Sequence, residues 1–388
     1  MLLYAFSISA TSHCHAQTAN EEKTLRVATF NVSLNRSREG RLTADLRTDN
    51  VQAKKVASII RTVRPDILLM NEFDYDATGE SIQLFRTRFL QAAADETHPI
   101  TYPYAFSSSV NTGVPSGHDF EHNGSSDGPG DSYGYGKFPG QYGMVVLSMF
   151  PIERDKVRTF QNLLWKNMPD AAIPMDPVSK QPWYSADAWN VFRLSSKSHW
   201  DIPVNVNGKI LHVLASHPTP PAFDGPEDRN GKRNHDEIRL WAEYLSNKSA
   251  DWLVDDQGHS GGLPDTESFV ILGDQNADPI DGNSHNNAIQ QLLNHQRVNS
   301  TFVPGSEGAT EATELQAGAN LRQSGIARSD TADFSDGEVG NLRVDYVLPS
   351  SDWTVVDGGV FWPATNNALA DAIDCSDHRL VWLDLDSE

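Results

Sequence analysis

Short apolar runs recur along this chain, and each ends on a polar side chain. Phe269-Val270-Ile271-Leu272 leads through Gly273 to Asp274-Gln275-Asn276, and Pro279 closes off any smooth continuation. Ile67-Leu68-Leu69-Met70 leads to Asn71-Glu72, and the alternating Leu25-Arg26-Val27-Ala28-Thr29-Phe30 leads to Asn31. Lys209–Ser216 ends at His217-Pro218. Runs of this length, rich in branched residues, read as buried strands. Between the strands at 25 and 66 lies a helix from about Asn50 to Val63. Its Val56, Ile59, Ile60 and Val63 share one face, and Pro65 stops it. Strand, helix, strand is the signature of an α/β chain.

The remaining signals extend to residue 385. Gly143–Ser148 reads as another buried strand. Residues 100–142 combine many glycines with Tyr102, Tyr104, Phe106, Phe120, Tyr133, Tyr135, Phe138 and Tyr142. Disordered segments are poor in aromatics, so this insert is expected to fold as a lid or substrate rim. Residues 161–200, with Trp165, Trp183, Trp189 and Trp200, read as a second irregular insert. A basic loop (Arg229, Lys232, Arg233) precedes a helix that turns Ile238, Trp241 and Leu245 inward, and a short helix carries Ala288, Ile289, Leu292 and Leu293. Residues 304–340 are expected to form a surface excursion, followed by strands at Leu342–Leu348, Trp353–Val360 and Arg379–Leu385. No repeat or linker divides the chain. The expectation is a leader over residues 1–19, then one domain over 20–388 with two large inserts.

The leader rests on the apolar Leu2–Phe6 and a cleavage-like Cys14-His15-Ala16, although no basic residue precedes Lys23. No later run reaches the roughly 18 apolar residues of a membrane span. A secreted or periplasmic monomer is expected, with no protein partner implied. With 31 Lys+Arg against 52 Asp+Glu, the net charge of −21 excludes a broad basic face for gripping nucleic acid. Two cysteines, Cys14 and Cys375, exclude a disulfide framework and a cysteine-based zinc site. Cys375 is expected to be buried.

Five strands therefore deliver Asn31, Glu72, His217, Asp274 with Asn276, and Asp377 with His378, while Asp345 sits inside a sixth. Each has an ordinary reading: Asn31 and Asn276 as turn residues, Glu72 as an ion-pair partner, His217 as a loop histidine, Asp345 paired with Arg343 or Arg379. Taken together they form a carboxylate, amide and imidazole set without a thiol. That donor chemistry suits Mg²⁺, Mn²⁺ or Ca²⁺.

The ordered blocks Thr29-Phe30-Asn31, Asn71-Glu72, Gly143–Leu147 with Ser148 and Pro151, Ser216-His217, Gly273-Asp274-Gln275-Asn276, Val344-Asp345-Tyr346 and Ser376-Asp377-His378 carry a resemblance. The chain resembles the endonuclease/exonuclease/phosphatase superfamily, which includes pancreatic-type DNases, apurinic endonucleases, inositol-polyphosphate 5-phosphatases and bacterial sphingomyelinases. The resemblance implies a four-layer α/β sandwich, two packed mixed sheets flanked by helices. It implies a divalent metal, Mg²⁺ first, with Glu72 as ligand, Asn31 beside it and Asp377 on the metal side. It casts Asp274 as the group that orients or deprotonates the attacking water, and Asn276 as holder of a phosphate oxygen. His378 would donate to the phosphoryl group with Asp345 fixing its tautomer, and His217 would protonate the leaving oxygen. Pro218 departs from the usual hydroxyl-His-Leu. Lys197 and His199, with Arg229, Arg233 and Arg239, are candidates for gripping further phosphates; the second cluster also reads as a solvated helix start.

The implied reaction is attack of water on phosphorus, of the phosphodiesterase or nuclease type, on nucleic acid or a small phosphorylated molecule. A phosphomonoesterase and a non-catalytic binding protein are the alternatives.

Overall fold

The computed structural model describes residues 24–92, 97–246 and 250–386; the expected leader lies outside them. Strands β1 (Leu25–Leu34) and β2 (Ile67–Phe73) pair in parallel, as the helix Val51–Val63 between them requires. Asn50 caps that helix by accepting the Ala53 N–H at 2.8 Å, and Arg64 in the left-handed region closes it before Pro65. Replacing Asn50 with Ala is expected to lower stability by about 1 kcal/mol. A urea midpoint that does not move would show the cap to be idle.

Strands β3 (Tyr104–Phe106) and β4 (Met144–Ser148) extend the sheet on one side. A second sheet begins with β5 (Arg158–Thr159), β6 (His199–Val206), β7 (Lys209–Ser216) and β8 (Ser268–Asp274), with β7 and β8 parallel. The short β9 (Ala332–Asp333) and β10 (Asn341–Leu342) pair with each other. The second sheet ends with β11 (Asp345–Pro349), and β12 (Thr354–Val360) and β13 (Val381–Asp386) return to the first. The orders are β12-β13-β1-β2-β4-β3 and β11-β8-β7-β6-β5.

Strand alternation sorts the side chains into four layers. Val27, Leu69, Val146, Ile202, Val213, Leu272 and Val347 meet between the sheets. Phe30, Leu68 and Met70 point the other way, onto Val56 and Ile60 of the first helix. Leu214 and Ile271 point onto Ile238, Trp241 and Leu245 of the helix Arg229–Ser246. The fold is the expected sandwich. None of the helices in the described residues is long and apolar enough to cross a membrane.

Three stretches differ from expectation. The second insert ends at residue 198, because His199–Val206 is strand β6, paired along its whole length with β7. Pro203 argues against a strand by composition, but Asn207-Gly208, with φ of 54° and 96°, is a two-residue hairpin turn that was readable in the sequence. The basic loop is instead the first turns of the Arg229–Ser246 helix. Residues 304–340 are only partly superficial: the helix Glu307–Gln316 packs Ala309 into the layer between the sheets.

Both inserts are folded. Phe120 of the first packs on Tyr184 and Phe192 of the second, and Asn111 donates to Gln161 and Ser195 carbonyls at 2.7 and 2.8 Å. Gly134 lies so close to the Ser196 carbonyl that a Cβ there would come within 1.9 Å of it. The two inserts therefore meet at the Ser196-Lys197 loop.

Candidate active site

The alternation that builds the layer between the sheets also builds the site. Val27 and Thr29 are followed on the same face by Asn31, Ile67 and Leu69 by Asn71, Val213 and Ala215 by His217, and Val270 and Leu272 by Asp274. Asp345 precedes Val347 in the same way. Polar side chains thus occupy the last inward positions at one edge of the apolar layer, and the sheet spacing holds them in place.

Asp274 is the hub. Its Oδ2 lies 3.2 Å from Asn31 Nδ2, 3.3 Å from His217 Nε2 and 3.6 Å from His378 Nε2, and its Oδ1 accepts the Asn276 N–H at 2.8 Å. Its own N–H donates to Asn71 Oδ1 at 3.1 Å across the sheets. Gly273 before it has φ of 142° and packs against the Ser216 carbonyl, where a Cβ would approach to 2.0 Å. Only glycine lets the two parallel strands converge there. Burial acts to raise the Asp274 carboxyl, but His378 and then His217 outweigh it and hold the group well below the usual carboxylate range.

His378 Nδ1 and Asp345 Oδ2 are 2.8 Å apart, and Thr331 Oγ1 donates to the same Asp345 oxygen at 2.9 Å. Burial works against the imidazolium, yet the carboxylates of Asp345 and Asp274 prevail and raise His378 to about 10. Asp345 itself is pushed up to about 6 by burial, with His378 pulling the other way. At neutral pH the three groups form a buried carboxylate–imidazolium–carboxylate array. His217 behaves differently. Burial, and then the Lys197 cation, lower it, Asp274 only partly compensates, and its Nδ1 is buried without a hydrogen-bond partner among the described residues.

On the other side of Asp274 the groups are oxygens. Glu72 adopts φ of 59°, a strained conformation for a residue with a Cβ, and its Oε2 accepts from Asn35 Nδ2 at 2.8 Å. Asn31 Oδ1 accepts the Ser33 N–H at 3.3 Å, and Ser33 Oγ donates to the exposed Asp377 at 3.2 Å. Ser376 Oγ donates to the Asn31 carbonyl at 2.7 Å, tying the Asp377 segment to β1. Asn31, Glu72 and Asp377 are all hard oxygen donors, which fits a divalent cation of the Mg²⁺ or Ca²⁺ kind. Asp274, Asp345 and His378 also bring ligand-type atoms within 4.8 Å of one another. A protonated imidazole cannot bind a metal, however, and its Nδ1 is already engaged with Asp345.

Asn276, with φ of 50°, donates through Nδ2 to the Pro218 carbonyl at 3.1 Å, and so links the Asp274 and His217 loops. Lys197 is only 7% exposed; Glu237, Glu72 and Asp274 are its carboxylate neighbours, and none of them forms an ion pair with it. The other expected phosphate-gripping residues are committed elsewhere. His199 is fully buried, with Nδ1 on Ser195 Oγ at 2.7 Å and Nε2 on the Glu237 carbonyl at 2.9 Å, leaving no nitrogen for a phosphate. Arg233 is buried and donates to the carbonyls of Leu194, Arg193 and Tyr133. Arg229 pairs with Glu227, and Arg239 with Glu243 at 3.1 Å. Lysine and arginine content signalled charge at these positions; burial and local carboxylates turned most of it to structural use.

Thr331, Asn71 and Glu237 were not singled out in the sequence. Thr331 lies in a stretch whose composition read as loop, and Asn71 was overshadowed by its neighbour Glu72. Asp278 accepts the N–H groups of Ile280, Asp281 and Arg343, so it shapes the turn after β8. Cys375 is buried, and burial raises its thiol to about 12, which leaves it a packing residue.

A sequence model of the endonuclease/exonuclease/phosphatase family matches residues 28–378. No curated protein matches the chain. Among solved structures the chain is similar to an endonuclease/exonuclease/phosphatase from Beutenbergia cavernae DSM 12333, with a TM-score of 0.53 at 18% identity over 94% of this chain and 71% of that one. An endonuclease/exonuclease/phosphatase family protein from Leptotrichia buccalis C-1013-b gives a TM-score of 0.48 at 14% identity, covering 93% and 99%. Sphingomyelinase C from Streptomyces griseocarneus gives 0.47 at 15% identity, covering 93% and 99%. At 18% identity the likeness to the Beutenbergia cavernae protein is one of fold.

Proposed function

The chain belongs to the endonuclease/exonuclease/phosphatase family, whose members are divalent-metal-dependent hydrolases of phosphoester bonds, and we propose that it acts on phosphodiesters. The observation that carries this reading is the second imidazole on Asp274: His217 Nε2 stands 3.3 Å from Asp274 Oδ2, beside His378 at 3.6 Å. Cleaving a diester expels an alkoxide, which leaves far more readily when a proton is supplied.

The roles follow from the charge states. Asp274, with its carboxyl held so low, is a weak base, so it orients the attacking water and accepts its hydrogen bond. His378 enters already protonated and donates through Nε2 to a phosphoryl oxygen as negative charge spreads there. Asp345 and Thr331 keep that imidazolium aimed. His217 is neutral in the resting site; an anionic phosphoryl group beside it raises its proton affinity, so it takes a proton from solvent as the substrate binds and gives that proton to the leaving oxygen. The new P–O bond to water forms as the bond to the leaving oxygen breaks, and the proton that the water sheds passes by way of Asp274 to solvent. Glu72, Asn31 and Asp377 would hold the divalent ion, Mg²⁺ by preference, which when bound supplies positive charge for the phosphoryl oxygens.

The Lys197 ammonium favours a second reading, a phosphomonoesterase, because a monoester carries one more negative charge than a diester for such a cation to meet. Hydrolysis of bis-p-nitrophenyl phosphate against p-nitrophenyl phosphate with Mg²⁺, Mn²⁺ or Ca²⁺ separates the two. A rate confined to the monoester would displace the diesterase reading. Replacing Glu72 with Gln is expected to weaken divalent-ion binding at least about 10- to 100-fold, the effect of losing even an outer partner of a metal ligand. Calorimetric titration with Mg²⁺ checks this, and an unaltered affinity would move the metal away from Glu72.

A further inference from the structure

Glu237 lies eight residues into the helix Arg229–Ser246 and is completely buried, yet it touches none of the reacting groups. Its two carboxylate oxygens bind two different loops. Oε1 accepts the Ser196 N–H at 2.6 Å, and Oε2 accepts the Thr219 N–H at 2.7 Å. Ser196 immediately precedes Lys197, and Thr219 lies two residues after His217. One turn earlier on the helix, Asn234 Nδ2 donates to the carbonyls of Thr219 and Gln275, at 2.8 and 2.9 Å, which fixes the loop after Asp274 to the same helix. Arg233 holds the Leu194 carbonyl at 2.9 Å. Helix backbone is far stiffer than loop backbone, so groups fixed to a common helix keep their mutual spacing.

The Lys197 ammonium completes the pattern. Lys197 is 7% exposed, the charges of Glu237, Glu72 and Asp274 all act on it, and its ammonium forms no ion pair or side-chain hydrogen bond among the described residues. Burial lowers the proton affinity of this ammonium while its Nζ still opens to solvent, so an anion that arrives beside it favours the charged form. We propose that Glu237 is a positioning residue: by clamping the Ser196 and Thr219 amides it holds Lys197 beside His217, so that the ammonium binds a non-bridging oxygen of the phosphoryl group. The clamp works through hydrogen bonds from both backbone amides. An amide side chain in its place presents one N–H₂ group to a backbone N–H, and that half of the clamp opens.

This inference rests on the phosphoester reading of the site, but its test does not require turnover. Binding of inorganic phosphate to the Mg²⁺-loaded protein is measured by calorimetry for wild type, Lys197→Met, Glu237→Gln and the double variant. Each single change is expected to weaken phosphate about tenfold or more, roughly the effect of losing one charge-assisted hydrogen bond. The double variant is expected to be no weaker than Lys197→Met alone, because Glu237 acts through Lys197. A structural role alone would lower the melting temperature of Glu237→Gln and leave phosphate affinity unchanged, or would add its loss to that of Lys197→Met; either result overturns the proposal. Unchanged affinity in Lys197→Met overturns it without reference to Glu237. If Glu237→Gln does not fold, Glu237→Asp, one methylene too short to span both amides, is read in its place. Wild type that binds phosphate with the expected pattern but hydrolyses neither nitrophenyl ester would count against the catalytic reading and leave the clamp standing.

Discussion

Asp274→Asn is expected to lower kcat on a phosphodiester by about 10³- to 10⁴-fold, the upper range for a group that manages the attacking water's proton. The substitution keeps the shape of the side chain and one carbonyl oxygen to accept the Asn276 N–H, while its N–H₂ replaces the oxygen that accepted from Asn31; the backbone N–H still donates to Asn71 Oδ1, so the strand end should hold its form. What it removes is the negative charge. The water loses its strongest acceptor, and His378 loses one of the two carboxylates that keep it protonated. Both losses act in the transition state more than in the ground state, so kcat falls while KM changes little. Mg²⁺ affinity should stay within about tenfold, because the oxygens assigned to the ion are those of Glu72, Asn31 and Asp377. Loss of metal binding together with activity would make Asp274 a ligand and reassign its role. Activity within about tenfold of wild type would remove Asp274 from the reaction.

The sequence exposes this much of the site because burial and chemistry conflict at the strand ends. An acid or amide at an inward position of an apolar strand is costly in isolation, so Asn31, Asp274 and Asp345 stand out against Val27, Leu272 and Val347, and Glu72 stands out as an acid at the end of the apolar run Ile67–Met70. Local periodicity also suffices for the helix over residues 51–63, since its apolar face and its cap lie within the segment. The misreadings have non-local causes. His199 and Arg233 look like phosphate ligands by composition, but their partners are backbone carbonyls and hydroxyls that become neighbours only after folding. Thr331 meets Asp345 because Arg379 donates its N–H to the Thr331 carbonyl at 2.7 Å, a contact made across the chain. Strand β6 was concealed by Pro203, which is tolerated because β6 still pairs along its length with β7.

The second large effect is on stability, and its sign depends on pH. His378 is raised from its ordinary value to about 10 in the folded protein. Its contribution is therefore complete below its unfolded pKa of about 6.5 and is lost as pH rises through about 10. Asp274 is lowered, so its contribution is complete above an unfolded pKa of about 4 and is lost as pH falls below that. Replacing His378 with Gln leaves Asp274 and Asp345 buried with no imidazolium between them. Removing one member of a buried ion pair costs about 3–5 kcal/mol near neutrality. Two buried carboxylates facing each other hold a proton more tightly than either does in water, so the variant regains stability as pH falls from about 7 toward 4; wild type, whose Asp345 is raised to about 6 with His378 pulling it down, regains less. The gap also narrows toward about pH 10, where wild type loses the His378 contribution. Urea denaturation in the presence of a chelator, at about pH 5, 7 and 9, should therefore give the largest difference at the middle value. A difference that is constant across the three would show that His378 is not charged between those carboxylates. The same variant should lose about 10²- to 10³-fold in kcat, as expected when one preorganised donor to a developing phosphoryl charge is removed. Full activity in a protein with this altered pH profile would separate the buried array from the chemistry and leave His378 a structural cation.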